Sequence, residues 1–67
     1  MIRARVNGEE QELPEGITLR AVVERFGFHP EAVAVAVDGH VVRRAQLAER
    51  VLAGGEQVEI IRAVGGG

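Results

Sequence analysis

Sixty-seven residues allow one domain, and a chain this short buries only about 60% of the surface its unfolded form exposes. There is no cysteine, which excludes disulfides, thiolate metal sites and cysteine nucleophiles, so stability must come from regular, well-packed elements. The net charge of −2 lacks the basic excess of a nucleic-acid-binding domain, and the 46% hydrophobic content with two phenylalanines predicts a mostly aliphatic core.

The chain opens on "IRARV", with Ile2, Ala4 and Val6 alternating with Arg3 and Arg5, the period-2 pattern of a half-buried strand. Asn7-Gly8 follows, a dipeptide suited to a tight hairpin turn, and "EEQEL" returns as a second strand with Leu13 on the core side. Pro14 and Gly16 end it. In "ITLRAVVERFG", Thr18 is placed to cap a helix whose Leu19, Val22, Val23 and Phe26 form one apolar stripe, with Gly27 just past its end.

"AVAVAVDGHVV" then supplies two strands. Val33, Val35 and Val37 are assigned inward and Ala34 and Ala36 outward, Asp38-Gly39 makes a second hairpin turn, and a short strand runs around Val41 and Val42. Leu47 and Val51, four apart, predict one or two helical turns before Gly54-Gly55. "QVEIIRAV" reads as the last strand, with Val58 and Ile60 inward and Glu59 and Ile61 outward. The order ββαββ, short helical turn, β, with the last strand free to pair with the first, predicts an α+β fold of the β-grasp type. One main helix lies across one face of a mixed four- to five-stranded sheet. The expected organisation is a single domain over residues 1–64 and a flexible glycine tail over 65–67.

Groups able to do chemistry are scarce. Serine, tyrosine and lysine are absent, and the lone hydroxyl, Thr18, is better used as a helix cap. His29 and His40 have no second ligand at metal spacing, so no metal is expected. Glu9, Glu10, Glu12 and Glu15 read as a solvated face, since nothing apolar flanks them to raise a pKa. Gly54-Gly55 lacks the residues of a phosphate loop. No apolar run reaches membrane-spanning length, and "MIRARVNGEE" has no apolar core of a secretion signal, which predicts a cytoplasmic protein without membrane contact.

The domain therefore reads as a non-enzyme, with its reactive group at the end of "IIRAVGGG". Three extended residues reach about 10 Å. Without Cβ atoms, Gly65, Gly66 and Gly67 can enter a slot barely wider than backbone, and the terminal carbonyl is open to attack once a leaving group such as AMP is attached. Sulfide transfer to that acyl group would leave a thiocarboxylate. Ordering three glycines costs roughly 3–6 kcal/mol with little side-chain surface to offset it. A second contact is therefore expected: docking through the sheet face away from the helix, using Ile61, Ala34 and Ala36, with Val64 anchoring the tail.

The element order, the length and the ending "VEIIRAVGGG" resemble the ThiS family of ubiquitin-like sulfur carriers in thiamine biosynthesis. The likeness covers nearly the whole chain and is densest over residues 33–67. Two turns depart from the family pattern: Gly54-Gly55-Glu56 stands where Asp-Gly-Asp is common, and Arg43 precedes Arg44 where a proline is common. The resemblance implies adenylation of Gly67 by an E1-like adenylating enzyme (ThiF-like) that uses ATP, the carrier itself binding no cofactor. It further implies thiocarboxylate formation with sulfur from a donor such as a cysteine desulfurase, and sulfur delivery to a thiazole synthase (ThiG-like). The free carrier is expected to be a monomer. The alternatives are the small subunit of molybdopterin synthase, a carrier for tRNA thiolation, and a β-grasp interaction module without covalent chemistry.

Overall fold

The structure, a computed structural model, describes residues 1–62. Two hairpins frame it. Strand β1 (Ile2–Val6) turns through Asn7-Gly8 into β2 (Glu9–Leu13), pairing Ile2 with Leu13 and Val6 with Glu9. Strand β3 (Val33–Val37) turns through Asp38-Gly39 into β4 (His40–Val42). Asn7 and Asp38 take φ of 52° and 51°, the left-handed conformation that a two-residue hairpin turn demands and that Asn and Asp tolerate better than other side chains.

Strand β5 (Gln57–Arg62) lies between the hairpins, parallel to β1 and antiparallel to β3, so the sheet order is β2-β1-β5-β3-β4. Both turn residues bond to it. The Asn7 Oδ1 accepts from the Ile60 N–H at 2.8 Å, and the Asp38 Oδ1 accepts from the Gln57 N–H at 3.0 Å. The last strand is thus tied by side chains from both neighbouring turns as well as by its ladders.

Helix α1 (Leu19–Arg25) begins where Thr18 Oγ1 accepts from the Ala21 N–H at 3.2 Å. It ends one residue earlier than its apolar stripe, with Phe26 as the half-buried cap and Gly27 at φ +83°. The Gly27 N–H donates to the Glu24 carbonyl and the Phe28 N–H to the Val23 carbonyl. That pair of bonds is the Schellman closure, and the positive φ it requires is why a glycine stands there. Leu19, Val22 and Val23 have no exposed surface, and each stabilises the fold by about 1.5–3 kcal/mol through burial. They face Ala4, Val6, Leu13, Val35, Val37, Val58 and Ile60 across a single core.

The segment between β4 and β5 differs from expectation. A 3-10 turn over Arg44–Gln46 replaces the helical turns, and Leu47 is buried but Val51 is half-exposed. The second core residue is Leu52, whose N–H donates to the Ile17 carbonyl while Val51 bridges to Thr18. An extended segment alternates its faces, so the residue beside Val51 points inward where a helix would have turned Val51 itself. A further 3-10 turn, Pro30–Ala32, joins the helix to β3.

Glu56 closes the turn before β5. Its carboxylate accepts from the N–H groups of Ala53 and Gly54, each at 2.7 Å. Burial opposes its ionisation, but the backbone N–H groups of Ala53, Gly54 and Glu56 itself outweigh that and hold its pKa below the ordinary glutamate range. A lowered folded-state pKa means stability that is complete above the ordinary range and is lost as pH falls through the lowered value. Glu56→Gln should therefore cost about 1 kcal/mol near neutral pH, seen as a drop in Tm. The gap between the variant and wild-type melting curves should close as acid protonates Glu56 in the wild type. A gap that stays constant down to strongly acidic pH would show that the charge contributes nothing.

Candidate functional site at the end of the last strand

Successive residues of a strand face opposite sides of a sheet, so β5 sends Val58 and Ile60 into the core and Gln57, Glu59 and Ile61 to the face opposite the helix. This outer face is divided along β5. On the β1–β2 side it is polar, with Arg3 paired to Glu10 at 3.7 Å and to Glu12 at 3.5 Å. On the β3–β4 side it is apolar. Ala34 pairs directly with Ile61, and Ala36 pairs with Val41.

Ile61 is 59% exposed and Ala34 is exposed, the outward placement expected of both. Ala36 is a correction. It lies on the outer face, outside the core cluster, yet only 8% of it is exposed. Its methyl sits between the longer side chains of its register partners, Val41 on β4 and Glu59 on β5, and cannot reach past them. The apolar surface it was expected to present belongs instead to Val41, which is 76% exposed. A signal for Val41 was in the sequence: a two-residue Asp38-Gly39 turn sets Val37 opposite His40, and therefore Val41 opposite Ala36 on the same face.

Beyond Arg62, the sites assigned to Val64, Gly65, Gly66 and Gly67 lie outside the described residues, as does the boundary between domain and tail. What is described is the strand that precedes them in the sequence. β5 pairs with β3 through its last described residue, Arg62 opposite Val33. Among the described residues, no three His, Asp or Glu side chains converge as metal ligands, and no polar side chain is buried. His29 and His40 are both exposed. No described helix is long and apolar enough to cross a membrane.

Comparison with known proteins places this geometry. A crystal structure of a thiamine biosynthesis protein (ThiS) from Geobacter metallireducens superposes with a TM-score of 0.82, covering 98% of this chain and 100% of that one. At 23% identity, that likeness speaks for the fold: the five-stranded mixed sheet with one helix is a β-grasp. A thiazole synthase from Magnetococcus marinus is 35% identical over 66 residues, which is 98% of this chain and 20% of that protein. The chain thus spans about a fifth of the length of the curated relative it matches. The family model described as ThiS family matches residues 2–67, the β-grasp body and the glycine ending together, and the chain belongs to that family.

Proposed function

We propose that this chain, a ThiS-family sulfur carrier of thiamine biosynthesis, works through the carboxylate of Gly67. A carboxylate oxygen of Gly67 attacks the α-phosphorus of ATP in an adenylating partner of the ThiF-like class, and pyrophosphate leaves. Hydrosulfide, released from a donor such as a cysteine desulfurase by a thiol reductant, then attacks the acyl carbon and gives up its proton. AMP departs with the bonding electrons, and a terminal thiocarboxylate remains. That softer nucleophile delivers sulfur to a thiazole synthase, a partner suggested by the relative of that name in which a segment resembles this chain. In this reading the carrier is a substrate and not a catalyst.

The observation that carries the reading is that the family match runs through Gly67. The test is intact-mass measurement after incubation with a ThiF-like enzyme, ATP and a sulfur donor. The expected result is a gain equal to sulfur replacing one oxygen, localised to Gly67 by fragmentation. An unchanged mass, or sulfur on another residue, would reject the assignment.

The body contributes binding through the apolar half of the outer face. Ile61 and Val41 are the protruding groups, with Ala34 giving a low surface between strands. Burying Ile61 against a partner is worth about 1.5–3 kcal/mol, and a carboxylate there would forfeit it. Ile61→Asp should raise the KM for the carrier in adenylation by roughly 10-fold or more, while the melting temperature stays within a few degrees of wild type. Unaltered kinetics would remove this face from the interface.

A further inference from the structure

Arg62 is the last described residue, and it stands on the side of the sheet opposite to Ile61. Its guanidinium carbon lies 5.6 Å from the centre of the Phe28 ring. Among the described residues Arg62 takes part in no ion pair; the paired arginines are Arg3 and Arg20. Phe28 is itself held in place. Its N–H closes the end of α1 onto the Val23 carbonyl, and its ring packs, half-buried, against the core. The ring is therefore a fixed platform, and a planar cation above its face is attracted by the negative π surface.

The final described turn of backbone is consequently gripped on one face by Arg62 on Phe28, while Ile61 leaves the other face free. Two residues upstream of Arg62, Asn7 holds the Ile60 N–H. We infer that Arg62 and Phe28 are positioning residues: their stack holds the last described residue of β5 in the orientation from which the sequence up to Gly67 must be presented to the partner once the body has docked. The inference rests on the carrier reading above. If the stack is lost, the end of β5 at Arg62 must be ordered on binding, and the carrier binds its partner more weakly in the ground state and the transition state alike. The chemistry at Gly67 is five residues away and is not touched. The loss therefore belongs in KM and not in kcat.

The test measures ATP–pyrophosphate exchange by a ThiF-like enzyme with the full chain as substrate, for Arg62→Gln, Phe28→Leu and the double variant. Leucine keeps the apolar packing and removes the π face, so the fold survives. Each single variant is expected to raise KM by about two- to fivefold with kcat unchanged. The double variant should lose no more than the larger single, and Phe28→Tyr should behave as wild type. In solution, the Arg62 δ-protons should be shifted upfield by the ring, and Phe28→Leu should abolish the shift. An unchanged KM, additive losses, or Arg62 protons without an upfield shift in the wild type would each overturn the proposal. If wild-type carrier supports no exchange at all, the carrier reading falls and this proposal with it. If wild type is active and the variants match it, only the positioning role falls.

Discussion

Deleting Gly67 is expected to lower kcat/KM for adenylation by at least about 100-fold while leaving the thermal midpoint unchanged. The deletion does not remove a terminal carboxylate, because Gly66 becomes the new end. It draws the carboxylate back by about 3.3–3.6 Å, the rise of one extended residue. A displacement of about 1 Å at a reacting atom already costs on the order of 100-fold, so a full residue places the nucleophile out of reach of ATP. Stability should not follow, since the described core, from Ala4 to Ile60, is left intact by the deletion. Appending one residue after Gly67 should have the same effect by a different route, because it converts the Gly67 carboxylate to an amide. A non-covalent β-grasp module would tolerate both changes. Full adenylation of the shortened chain would show that the position of Gly67 is not required, and failure of the full chain itself to be adenylated would end the carrier interpretation.

Leu52→Ala should destabilise the domain by about 2–5 kcal/mol, enough to unfold much of the population at growth temperature. Leu52 is 2% exposed and fills the core beside Leu47, and its N–H is bonded to the Ile17 carbonyl. Removing three carbons leaves a cavity in a core that, among the described residues, numbers fifteen, most of them valine, with little spare volume nearby to collapse into it. A domain of this length has a stability of roughly 3–10 kcal/mol, so the loss is a large share of the whole. Val51→Ala is the control. Val51 is 51% exposed, and its truncation should change stability by no more than about 0.5 kcal/mol. Chemical denaturation of both variants distinguishes them. Equal midpoints would mean that the segment before β5 is not packed as described. Because that segment delivers β5, and β5 carries the tail, Leu52→Ala should also lose carrier activity in step with its unfolded fraction.

Much of the fold was legible in the sequence because its signals are local. Alternation in "IRARV" and "VAVAV" marked strands and their inward residues, and the hairpin turns were written as Asn7-Gly8 and Asp38-Gly39. The helix was announced by Thr18, the Leu19, Val22, Val23 stripe and Gly27. The segment from Arg43 to Glu56 was less readable. Leu47 and Val51 suggested a helical repeat, but the chain there makes a 3-10 turn, a further turn closed by the Arg50 N–H on the Gln46 carbonyl, and is extended by Val51, so the buried partner is Leu52. Without a regular period, only the shape of the core decides which residue enters it.

The candidate site divides in the same way. The amino-acid order by itself determined that side-chain chemistry is sparse, that the chain closes on glycines, and that Ile61 alternates to the face away from the helix. Only the tertiary structure decided that Asn7 and Asp38 are bonded to β5 between the two hairpins, that Ala36 is covered on the outer face, and that Arg62 meets Phe28. Three of those pairings, β1 with β5, Asn7 with Ile60 and Arg62 with Phe28, join residues more than thirty positions apart, and a local pattern carries no information about its distant neighbour. Exposure of an alanine depends on how far the side chains beside it extend, and a cation finds a ring only after the sheet has set both in place.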